Sequence, residues 1–179
     1  MEKKLEEALR NIWHVTSLEM GQNILKYQSI WGTDPDGAAN FHPNQVSSNI
    51  PEQDSEISIG FRWEGEIKLL DLNDCELTGL KSGVMYVVLT EGFHNPTFDT
   101  VKVWTCKIPR GTDSHLSCID VVPFTDMLDD RNFKKQFSKF QTECLKTFPV
   151  KVPSSQEISQ IVKAITESPK KSLLQRLFG

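Results

Sequence analysis

Ile12-Trp13-His14-Val15-Thr16-Ser17-Leu18-Glu19 is the stretch on which the fold turns. Ile12, Trp13 and Val15 suit a short buried strand. Thr16 and Glu19 then have the spacing of a capping box. The hydroxyl takes an N–H of the first helical turn, and the carboxylate reaches back to the threonine N–H. Met20, Ile24 and Tyr27 share one face of the helix that follows, with Leu25 beside it, and the helix ends near Gln28. Ser29-Ile30-Trp31 begins a second extended run. His14 thus stands at a strand end beside a helix N-terminus, where imidazole, hydroxyl and free backbone donors suit a polar ligand.

Working outward, residues 2 to 11 read as a short helix, with Leu5, Leu9 and Ile12 at helical spacing. Residues 32 to 55 are rich in Gly, Pro, Asn, Asp and Ser, and Thr33-Asp34-Pro35-Asp36-Gly37 has strong turn chemistry. This segment is either a lid over the proposed pocket or a plain surface excursion.

The middle of the chain reads as strands. Ile57, Ile59, Phe61 and Trp63 alternate with Ser58, Gly60, Arg62 and Glu64, the pattern of a half-buried strand. Gly65 marks a bulge or turn before Glu66-Ile67-Lys68-Leu69. Val84 to Leu89 is a nearly continuous apolar run, fit for a strand covered on both faces and ended by Glu91-Gly92. Residues 97 to 108 form a further strand. Pro109-Arg110-Gly111 turns the chain, and Cys118 to Val122 is a last short strand closed by Pro123.

The C-terminal part is helical. Phe133, Phe137, Phe140, Cys144 and Phe148 share one face across residues 127 to 148, as expected of a helix packed on a sheet. Pro149 and Pro153 break that helix. Ser154 and Glu157 form a second capping box, and Ile158, Ile161, Val162 and Ile165 give the next apolar face. Residues 169 to 179 differ in character, with Leu173, Leu174, Leu177 and Phe178 beside Lys170, Lys171 and Arg176. Such a tail suits a partner groove or an anionic surface, unless it folds back on its own domain. The pattern predicts an α+β fold. A mixed or mostly antiparallel sheet of roughly six strands carries N-terminal helices and two C-terminal amphipathic helices, in one domain over residues 1–168.

The 179 residues carry a net charge of −4, which argues against a general electrostatic grip on nucleic acid. Cys75, Cys106, Cys118 and Cys144 are widely spaced without a Cys-x-x-Cys pair. With the charged, helix-prone opening, this points to free thiols in a reducing, cytoplasmic setting. No run of the sequence has the apolar length of a transmembrane helix. There is no Gly-x-Gly-x-x-Gly, P-loop, Gly-x-Ser-x-Gly or His-Glu-x-x-His, so kinases, P-loop nucleotidases, common serine hydrolases and zincins are disfavoured. His42, His94 and His115 read as loop residues without zinc spacing, and no metal is expected. Cys106 reads as core.

His14-Val15-Thr16-Ser17-Leu18-Glu19, with Ile24-Leu25 and Ile30-Trp31-Gly32, resembles the opening of ADP-ribosyltransferase-like domains, most of all small bacterial and phage members that begin with a His-x-Thr-Ser strand. The resemblance covers roughly residues 12 to 42. It implies an enzyme that uses NAD as co-substrate, in which His14 and Thr16 hold the nicotinamide amide and the adjacent ribose. Gly37-Ala38-Ala39-Asn40-Phe41 takes the place of the second motif, with Phe41 as the ring stacked on nicotinamide, although its order departs from the family's common form.

The third element is an acid that stabilises the positive charge on the ribose. Glu64, Glu66 and Glu91 lie on or beside expected strands, and Glu91 is preferred over Glu64 because a glycine follows it. The acceptor would be a protein or nucleic acid, with NAD hydrolysis as the variant reaction and a toxin, effector or phage-defence role at the family level. The rival expectation is a non-catalytic protein–protein interaction module acting through its loops or residues 170–179.

Overall fold

The computed structural model describes residues 3–31, 38–43, 55–70, 80–94, 99–146 and 149–167, and for residues 3–5, 89–94, 99–104, 114, 125 and 164–167 among them the backbone alone. In chain order the elements are α1 (Lys3–Leu9), β1 (Asn11–Thr16), α2 (Leu18–Tyr27), β2 (Ala39–Phe41), β3 (Ile57–Trp63), β4 (Glu66–Leu70), β5 (Val84–His94), β6 (Asp99–Ile108), β7 (Thr112–Pro123), α3 (Arg131–Cys144), β8 (Val150–Val152) and α4 (Ser155–Glu167). A 3-10 turn over Thr125–Asp129 precedes α3. The class is α+β, as expected.

Among the described residues the strands form two four-stranded sheets, in the orders β1-β3-β7-β8 and β2-β6-β5-β4. All neighbours are antiparallel except β4 and β5. One further pair joins the sheets. Trp13 of β1 and His42, just past β2, exchange both backbone hydrogen bonds at 2.7 Å. The two sheets therefore meet along a seam at β1 and β2.

Their inner faces share one core. Ile12, Ile59, Phe61 and Trp63 from the first sheet meet Phe41, Met85, Val87, Cys106 and Ile108 from the second. Leu18 and Ile24 of α2 and the Phe133, Phe137, Phe140, Cys144 stripe of α3 complete the cluster. The aromatic stripe is thus a packing face. Gly21 lets α2 approach that layer, because a Cβ there would lie 2.8 Å from Ile57 Cδ1 and 2.9 Å from Phe140 Cζ.

Several expectations change. β3 is buried on both faces from Ile57 to Phe61, with the Trp13 ring lying over Gly60. Its bulge falls at Gly60/Phe61. β5 continues through Glu91-Gly92 to His94, and β7 starts at Thr112 rather than Cys118. α3 is confined to Arg131–Cys144. The second strand of the opening unit is Ala39–Phe41, since Ser29 makes only a single bridge, to Lys151. β8 lies between Pro149 and Pro153, where only a helix break was expected. The capping box at Ser154 and Glu157 forms as read: Ser154 N–H donates to Glu157 Oε2 at 2.8 Å, and Glu157 N–H donates to Ser154 Oγ at 3.3 Å. Lys151 ion-pairs with the same carboxylate. Among the described residues no helix is long and apolar enough to cross a membrane. Phe148, the tail 169–179 and most of the loop expected over 32 to 55 lie outside the described residues.

Candidate functional site

The seam builds the site. On an antiparallel strand, alternate residues turn their N–H and C=O groups to the same neighbour. His42 bonds to β1, so Asn40, two residues before it, also turns its carbonyl toward β1. Where a further rung of the ladder would fall, the imidazole of His14 takes that carbonyl instead, with Nδ1 3.1 Å from Asn40 O. A carbonyl only accepts, so Nδ1 carries the proton and Nε2 keeps its lone pair. Nε2 has no hydrogen-bond partner among the described residues.

The electrostatics keep this ring neutral. Burial pushes the His14 pKa below its ordinary 6.5, and the nearby His42 adds to that, against the opposing effect of the Asn40 carbonyl. At pH 7 His14 is an uncharged imidazole, anchored at one nitrogen and able to accept at the other. Thr16 lies two residues further along the same face of β1, about 7 Å away. Its carbonyl accepts from Glu56 N–H at 3.0 Å.

The start of α2 differs from the expected capping box. Ser17, not Thr16, is the N-cap, and its Oγ accepts from Met20 N–H at 3.2 Å. Glu19 does not reach back. Glu56, immediately before β3, supplies the carboxylate instead, accepting from Leu18 N–H at 2.8 Å. A negative charge seated on the first helical turn is favourable. It also occupies the helix start where a polar ligand was expected.

The other residues named from sequence are dispersed. Phe41 is fully buried, with its ring 5.6 Å from that of His14 and 6.0 Å from that of Phe61. A ring with no exposed surface cannot stack on a ligand, so Phe41 as placed is a core residue and a wall behind His14. Glu64 is exposed and ion-paired with Arg62 at 2.9 Å. His14 pairs in register with Ile59, five residues before Glu64, which puts roughly 16 Å of strand between them. Glu66 is likewise exposed, 3.3 Å from Lys68. Glu91 lies on β5, paired in register with Lys102, and its side chain is outside what the structure describes. Val87, Cys106 and Phe41 stand in one row across the second sheet, and position 91 is four residues beyond that row, about 13 Å along the strand.

His115, expected in a loop, lies on β7 and packs its ring 5.3 Å from that of Trp63. Cys106 is buried on β6, and burial pushes its thiol up to about 12, so it is no nucleophile near neutral pH. No group of three metal-ligating side chains comes together among the described residues.

Two contributions to the site carry no local sequence signal. Asn40 acts through its backbone carbonyl, which carries no side-chain signal. Glu56 acts on a helix 38 residues earlier, beyond the reach of any local capping motif. Comparison with known proteins finds no matching family model, no similar curated protein and no similar solved structure.

Proposed function

We propose that the chain is an ADP-ribosyltransferase-like enzyme that takes NAD as co-substrate, with His14 engaging the dinucleotide. One observation supports this above the others: the His14 ring is held at Nδ1 by the Asn40 carbonyl, and its burial favours the neutral form. A ring held in this way accepts a hydrogen bond from an amide or a ribose hydroxyl without further loss of freedom. Thr16 offers a hydroxyl position further along the same face.

In the reaction the bond from ribose to nicotinamide breaks and the ribose takes on positive charge. A nucleophile of a protein or nucleic-acid acceptor, or water, then adds to that carbon. The stabilising carboxylate is assigned to Glu91. Glu64 and Glu66 are exposed and engaged with Arg62 and Lys68.

A second reading, a non-catalytic interaction module acting through its loops or residues 170–179, is favoured by the carboxylate-filled start of α2 and the burial of Phe41. Nicotinamide release from NAD separates the two, measured with protein and with nucleic acid as acceptor. The enzyme reading predicts turnover that falls about 100-fold in His14→Ala and in Glu91→Gln, with circular dichroism unchanged. Absence of turnover by the unaltered protein with both acceptors leaves the interaction module.

A further inference from the structure

Cys118 of β7 and Cys144, the last residue of α3, face one another in the core. Their Sγ atoms are 3.2 Å apart, and both side chains are buried. A disulfide bond is about 2.05 Å long, so closing one here asks for a relative movement of about 1.2 Å. The elements that carry them are already fixed together. Gln141, one turn before Cys144, donates from Nε2 to Val121 O at 2.8 Å. Phe140 of the same turn is part of the shared core. The pair also lies near a helix end, where Leu145 and Lys146 are exposed, so a small oxidant has a short path to it. Cys106, by contrast, is buried within β6 and has no cysteine beside it among the described residues.

We propose that Cys118 and Cys144 form a reversible redox dithiol, which a peroxide closes to a disulfide that ties the end of α3 to β7. Either sulfur of the pair can donate to the other, and Cys144, at the exposed end of α3, meets the incoming peroxide first and is the attacking sulfur. Its thiolate attacks one peroxide oxygen, the O–O bond breaks, and Cys144 becomes a sulfenic acid as the first water leaves. Cys118 sulfur then attacks the Cys144 sulfur. The S–O bond breaks, the S–S bond forms, and the Cys118 proton departs with the second water. Two thiols and one hydrogen peroxide thus give one disulfide and two waters, with two electrons passing from the sulfurs to the peroxide. A dithiol reductant reverses the step by exchange.

The test uses the full chain carrying Cys75→Ser, so that no thiol outside this pair and Cys106 can exchange. The folded protein is treated with hydrogen peroxide, blocked with an alkylating agent and digested, and its peptides are weighed. The expected product is a Cys118 peptide joined to a Cys144 peptide, lighter than their sum by two hydrogens and separated again by dithiothreitol. The oxidised protein should melt roughly 5–10 °C higher, because the bond closes a loop of about 27 residues in the unfolded chain. Cys118→Ala and Cys144→Ala should each abolish the joined peptide and the shift in melting. The proposal is overturned if both cysteines are alkylated as free thiols after oxidation. It is equally overturned if they pass to sulfinic acid unjoined, or if they join only in urea. The peptide map of the parent chain decides these outcomes even where an alanine variant fails to fold.

Discussion

Glu56 and Leu18 are 38 residues apart in the chain, yet the carboxylate of one caps the first amide of the other at 2.8 Å. The contact ties α2 to the start of β3, beside the end of the strand that carries His14. Hydrogen bonds to charged groups contribute about 1.5–3 kcal/mol. Glu56→Ala should therefore cost about that much in urea denaturation. Glu56→Gln, which keeps an acceptor of the same shape, should cost less than half as much. Equal costs for the two variants would show that the cap depends wholly on the charge and that a neutral acceptor there contributes nothing.

The same contact shows how much of the opening was legible in the sequence. The strand, the helix and its end near Gln28 were readable from apolar spacing, and Gln28 does take the left-handed conformation that ends a helix, with φ 48°. The cap was not readable, because its carboxylate comes from a residue distant in sequence. β8 escaped for a related reason. Val150-Lys151-Val152 is too short to declare itself, and it becomes a strand only by pairing with Thr112 and Leu116 of β7. The polar half of β7, Thr112 to Ser117, has no apolar alternation and is held extended by its neighbours. At the candidate site, His14 was legible as an isolated polar side chain in an apolar strand, whereas its anchor is a main-chain carbonyl that any residue type at position 40 would supply.

His14 gives a pH dependence of defined sign. Its folded pKa lies below the ordinary 6.5, so the unfolded chain binds the proton more readily than the folded one. Stability then falls as pH drops below about 6.5 and levels off below the folded pKa. His14→Gln should remove that component. Urea denaturation between pH 7 and pH 5 reads it, and equal slopes for the two proteins would contradict the assignment.

Glu157 gives a separate window of opposite chemistry. Lys151 and the Ser154 cap hold its carboxyl near 2, well below the ordinary 4.5. The stabilisation is present above about pH 4.5 and is lost as pH falls toward 2. Both partners are more than a third exposed, so the ion pair is worth only about 0.2–1 kcal/mol. Glu157→Gln should be less stable than the parent at pH 7, and the difference should close by about pH 2. A difference that persists in acid would mean that packing, not charge, sets the effect.

Gly65 sits against the buried Trp63 ring, and a Cβ there would collide with that ring and lie 3.1 Å from Gly83 O. The ring cannot swing away, because it is fully buried and its Nε1 donates to Glu66 O at 3.0 Å. Gly65→Ala should therefore cost about 1–3 kcal/mol through overpacking. A neutral or stabilising result in thermal denaturation would show that the turn from β3 to β4 has slack.

The most direct test of the account is whether NAD reaches His14. Imidazole nitrogens of the labelled protein can be followed by NMR while NAD is added. A saturable shift is expected at His14 Nε2, with Nδ1 remaining protonated against Asn40, and loss of NAD affinity by at least about tenfold in His14→Ala, as expected for about 1.4 kcal/mol of lost contact. No change at either His14 nitrogen up to millimolar NAD, in a protein whose fold is intact, would contradict it.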